Sequence, residues 1–187
     1  MYCKNLVFLT ATSCLLITAN AQAETNAQIG GGYHARYIED ASSDYSVDFG
    51  SPVFSVRLIP HENFAFATNY YYNGSGSYSQ GSNSGPSVFE TSGLELNFLL
   101  GTSFIDKGFY GYAGLGYFSE HWESTTSSSD YIATGLQAPI GLGYNFGDFG
   151  MEVQYAYRDP KAYQKDVFSA ESDPSANTFQ IKLFANL

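Results

Sequence analysis

The chain has 187 residues, 18 acidic against 8 basic side chains, a formal charge of −10, and 16 Tyr, 15 Phe and 19 Gly beside a single Trp. That acidic balance excludes nucleic acid as the expected partner, since phosphate binding needs clustered Lys and Arg. The length suits one domain, and the aromatic, glycine-rich composition is poor in helix-forming runs.

At the start of the chain, Lys4 precedes an apolar run from Leu6 through Ile17 and then Ala21-Gln22-Ala23. This is the pattern of a secretory signal peptide cut after Ala23. The run is short for a spanning helix and broken by Thr10, Thr12 and Ser13. A lipoprotein signal ending at Cys14 is the alternative, but it would leave LLITANA exposed on the product and has Ala11 where a large aliphatic residue is usual. The expected division is a cleaved signal peptide over 1–23 and one barrel domain over 24–187. Both cysteines, Cys3 and Cys14, fall in the first part, so no disulfide is expected after export.

From Gln28 onward, segments of period two recur at about 28–38, 49–59, 64–73, 88–101, 109–119, 131–146, 149–158 and 177–187. Each is near the length that crosses a bilayer obliquely, and no later stretch has the apolar length of a spanning helix. The connections alternate: Pro60–Asn63, Thr102–Gly108 and Gly147-Asp148 are short, whereas Glu39–Asp48, Gly74–Ser87, Glu120–Asp130 and Asp159–Ala176 are long. The predicted fold is therefore all-β, an eight-stranded antiparallel up-and-down transmembrane β-barrel with short periplasmic turns and long extracellular loops. The stretch GSGSYSQGSNSGPS at 74–87 has the composition of a flexible linker and reads as a mobile loop.

Parity divides the segments into two faces. One carries bulky apolar groups such as Phe54, Val56 and Leu58, Leu94, Leu96 and Phe98, and Ile140 and Leu142. The other carries His34, Arg36, Arg57, Asn69, Glu95, Asn97, Gln137, Glu152, Gln154, Arg158, Gln180 and Lys182 among many glycines. A small barrel cannot hold the aromatic set inside. The polar face is therefore expected to be the interior and the apolar face to meet lipid, where an Arg or Lys near the midplane would cost about 2 to 4 kcal/mol. A secreted lipocalin-like barrel with an apolar pocket is the soluble alternative.

With eight amphipathic segments, GFYGYAGLGYF at 108–118 and PIGLGYNF at 139–146, the chain resembles the small outer-membrane barrels of the OmpA transmembrane domain, OmpX/Ail and opacity-protein group. The resemblance implies residence in the outer membrane of a Gram-negative cell and a structural or surface-interaction role in envelope integrity, adhesion or serum resistance. A small narrow-pore porin and a lipid A-modifying enzyme are the alternatives. Such barrels typically end in an aromatic residue; this chain ends in Leu187.

Several groups are candidate sites. Arg57, Glu95, Glu152 and Lys182, with His34 and Arg36, are expected to form a polar network filling the lumen. Tyr37, Tyr72, Tyr117, Trp122, Tyr144 and Tyr157 fall toward segment ends and read as interface aromatics. Glu39, Asp40, Asp44, Glu120, Glu123, Asp166, Glu171 and Asp173 read as acidic loop residues that repel like-charged surfaces, share divalent cations with lipopolysaccharide, or meet a basic partner. His121 beside Ser119, Glu123 and Ser124 has the parts of a triad. Such adjacency arises easily in a serine-rich loop, and the His-x-Ser-Asn pattern of lipid A deacylases is absent. No enzyme activity, cofactor or metal site is expected. The expected partners are outer-membrane lipids and lipopolysaccharide, then host or surface proteins reached through the loops, with the chain itself a monomer.

Overall fold

The computed structural model describes residues 26–40, 42–128, 130–164 and 174–187. The signal-peptide segment and the acidic positions Asp166, Glu171 and Asp173 lie outside the described residues. The strands are β1 (Asn26–Asp40), β2 (Tyr45–His61), β3 (Phe64–Gln80), β4 (Asn83–Pro86), β5 (Phe89–Gly101), β6 (Gly108–Ser124), β7 (Asp130–Asn145), β8 (Phe149–Arg158) and β9 (Pro174–Asn186), with one short helical turn, α1 (Lys161–Gln164), between β8 and β9. All pairings are antiparallel, in the order β2-β1-β9-β8-β7-β6-β5-β3, and β2 pairs with β3 to close the ring. Because β4 and β5 both pair with β3, at its far and near ends, they form one interrupted wall strand. The wall thus has eight strands.

Alternation explains the closure. In β8 every second residue, from Gly150 through Arg158, is buried, and Phe149, Met151, Val153, Tyr155 and Tyr157 are exposed. The buried set points into the barrel and the bulky apolar set points away from it, the inverse of a soluble sandwich. Leu142, Leu136 and Leu115 are 66%, 67% and 72% exposed, values that only an apolar surrounding makes favourable.

Two irregularities have local causes. Pairing of β3 with both neighbours slips near Tyr72–Gly74, where Asn73 has φ of 50°. This bulge leaves Tyr72 and Asn73 both exposed and inverts the parity beyond it, so Gly74 and Tyr78 turn inward. In β7, Pro139 has no N–H to donate, and pairing with β6 lapses between Ile140 and Gln137 without a change of register.

At the loop end, several expected connections are strand. The linker-like stretch 74–87 pairs as a hairpin, Ser77 with Pro86 through Gln80 with Asn83. Likewise β6 continues to Ser124, pairing Glu123 with Asp130 of β7. Backbone pairing across a hairpin outweighs the low strand propensity of Gly and Ser.

A sealed ionic lumen as the candidate functional site

Inward-facing side chains from the eight wall strands form three layers. Nearest the short turns, Ile59, Ala65, Ala67, Leu99, Phe104, Tyr110 and Tyr112 make an apolar cluster. Phe104 comes from the β5–β6 turn, whose backbone N–H donates to the Glu62 carbonyl at 2.8 Å, and its ring is fully buried. At the loop end, Ile38, Val47, Phe49, Phe118, Trp122, Ala133, Ala162, Tyr163 and Ala176 form a second cluster. The charges lie between the two.

The charges fall into two groups. On the turn side, Glu152 faces Arg57 at 2.7 Å and Lys182 at 3.1 Å. Tyr110 and Tyr112 donate to its two oxygens at 2.9 and 2.8 Å, and Gln28 accepts from Arg57 at 3.0 Å. On the loop side, Arg158 bridges Glu95 and Glu120, at 2.6 Å each, while Arg36 pairs with Glu120 and donates to Thr91 at 2.9 Å. His34 Nε2 lies 3.7 Å from Glu95. Asn69 joins the groups: it donates to Glu95 at 2.8 Å, and its amide oxygen lies 3.4 Å from Lys182 Nζ. Arg36, Arg57, Arg158 and Lys182 face Glu95, Glu120 and Glu152, four cations against three carboxylates, all buried. Desolvated charges persist only when paired this closely.

The sequence-derived residues sort as follows. Arg57, Glu152 and Lys182 come together as one group. Glu95 joins a different one, with Arg158, His34, Arg36 and Glu120. Arg158 shares the polar parity but was not expected in the network. Three assignments are corrected. Glu120, read as an acidic loop residue, is fully buried in the lumen, because β6 keeps its inward parity beyond Ser119. Trp122, read as an interface aromatic, is 2% exposed and its indole N–H donates to Glu120. Asp40 is buried too, and accepts from the Ser42 and Ser43 hydroxyls at 2.7 and 2.6 Å. Tyr37, Tyr72, Tyr117 and Tyr157 lie on the outer wall toward the loops, while Tyr144 lies at the turn end, its ring 4.8 Å from that of Phe109. Glu39, Asp44 and Glu123 are exposed.

Other contributors carried no sequence signal. Phe104 and Tyr163 sit in connections, where no periodicity marks an inward side chain. His121 points outward from β6 and its Nε2 lies 3.7 Å from Asp130, while the Ser124 hydroxyl is in a loop cluster with Thr126 and Ser127. Among the described residues, no group of three or more His, Cys, Asp or Glu could hold a metal ion, and no helix is long and apolar enough to cross a membrane.

A closed antiparallel ring with lipid-facing hydrocarbon and a polar filled centre defines an eight-stranded transmembrane β-barrel. The chain belongs to the outer membrane protein beta-barrel domain family, whose sequence profile matches residues 7–185, and it resides in the outer membrane of a Gram-negative cell. The fold is similar to that of Neisserial surface protein A (TM-score 0.55, 16% identity, 86% of this chain and 96% of that one). It is also similar to the N-terminal β-barrel domain of Pseudomonas aeruginosa OprF (TM-score 0.52, 14% identity, 87% and 97% coverage). No curated protein matches the chain by sequence. The short turns thus face the periplasm and the long connections the cell exterior.

Proposed function

We propose that the protein is a closed, non-enzymatic outer-membrane barrel whose role is exercised at the cell surface, in envelope integrity or contact with other surfaces. The observation that carries this reading is the double seal: apolar clusters occupy both ends of the lumen, and the charges between them are spent on each other. What remains free to act is the extracellular rim, where the hairpins bear the exposed carboxylates of Glu39, Asp44 and Glu123. These carboxylates suit divalent cations shared with lipopolysaccharide, or a basic partner. The similarly folded Neisserial protein is by name a surface protein, which agrees with this reading.

Refolded barrel in planar bilayers is expected to stay silent. Cells lacking the protein should change in detergent sensitivity or surface adherence and recover with the intact chain, but not with one in which the rim acids are amides. Steady conductance steps would make it a porin instead, and a mass change in lipid A would make it an enzyme.

A further inference from the structure

One stopper of the extracellular seal, Tyr163, is a loop residue seated like a ligand. Beyond Arg158, α1 packs on β7 and β9 and is held by Asp159, whose N–H donates to the Leu136 carbonyl at 2.8 Å. It delivers Tyr163 into the mouth of the barrel, fully buried. The phenol ring stacks on Phe118, centroids 5.7 Å apart at 16°, and meets the Trp122 ring edge-on at 6.3 Å. Its hydroxyl accepts from Arg158 Nη1 at 3.0 Å. The features of a bound phenol are met by two wall strands: a stacking face and an indole contact from β6, and a cationic donor for the hydroxyl from β8. Burial pushes the phenol's pKa up to about 12, so it is seated as the neutral hydroxyl.

We propose that α1 is a displaceable plug and that the cleft under Tyr163, formed by Phe118, Trp122 and Arg158, is a recognition site for a planar aromatic group bearing a phenolic hydroxyl. The site lies at the loop end of the lumen and goes beyond a purely structural barrel. Its failure is read by titration, whereas failure of the closed-lumen reading is read by conductance.

Trp122 is the sole tryptophan, so its emission reports the site directly. Refolded barrel is titrated with 4-hydroxybenzyl alcohol and with benzyl alcohol, which has the same ring without the phenolic hydroxyl. The intact chain is expected to give a weak saturable change with the phenol. Tyr163→Ala, with the plug's ring removed, should bind it at least tenfold tighter and prefer it at least tenfold over benzyl alcohol. Equal affinity for the two alcohols would mean a mere void, and equal affinity of the intact and variant chains would place binding elsewhere. A silent intact chain would mean that the plug is not displaced. Each of these outcomes overturns the proposal. Should Tyr163→Ala fail to fold, the intact chain decides alone, since its response must be saturable and depend on the hydroxyl.

Discussion

Glu152 shows how strongly a single carboxylate can be held in this lumen. It has two cations within 3.1 Å and two phenol donors within 2.9 Å. Replacing it by Gln keeps the size but leaves Arg57 and Lys182 buried without a counter-charge. Glu152→Gln is therefore expected to destabilise the barrel by about 3 to 5 kcal/mol, measured by urea unfolding in lipid. Adding Lys182→Met should recover part of that loss, because it removes one of the two orphaned cations. A loss below about 1 kcal/mol would mean that water, and not the pairing, solvates these charges. Most of this chemistry was legible residue by residue: Arg57, Glu152 and Lys182 sit on the polar parity of their segments. How the charges partition was not. Depth along tilted strands depends on register, which parity leaves free, so Glu95 is claimed by Arg158.

At the scale of the element, β6 lines the lumen from one seal to the other. Its even positions run Tyr110, Tyr112, Gly114, Gly116, Phe118, Glu120 and Trp122, a single inward face spanning both seals. Following that parity past Ser119 would have placed Glu120 and Trp122 inside. The serine-rich composition after them pointed instead to a loop. The glycines opposite are sized to the rings of β6: a Cβ on Gly141 would fall 2.7 Å from Tyr112 Cε1. Gly141→Ala is expected to displace the Tyr112 ring, break its bond to Glu152, and cost about 1 to 3 kcal/mol as overpacking. The check is a lowered unfolding midpoint that Tyr112→Phe, which keeps the ring, does not reproduce in full. The bulge at Asn73 and the pairing of 74–87 were hidden for another reason. Polar small residues read alike in a turn and in an exposed hairpin, where only the partner strand decides.

For the whole molecule, the inverted arrangement was the most legible feature, since bulky aliphatics on one parity and glycine with charge on the other admit only one side for lipid. Leu142, on the outer wall of β7 three residues before its turn end and 66% exposed, tests it. Leu142→Arg is expected to destabilise the barrel by about 1 to 3 kcal/mol in a bilayer, below the midplane maximum of about 4, whereas the same change at an exposed loop position such as Ser127 should cost little. Equal effects at both positions would show that no hydrocarbon layer surrounds Leu142.

The two stoppers have a consequence of their own. Phe104 and Tyr163 are both carried by connecting segments, while the ring of strands is specified by alternation elsewhere in the chain. Tightness and architecture can therefore diverge over descent: exchange of a few positions between strands would retune what gets in, with every rung of the ladder left in place.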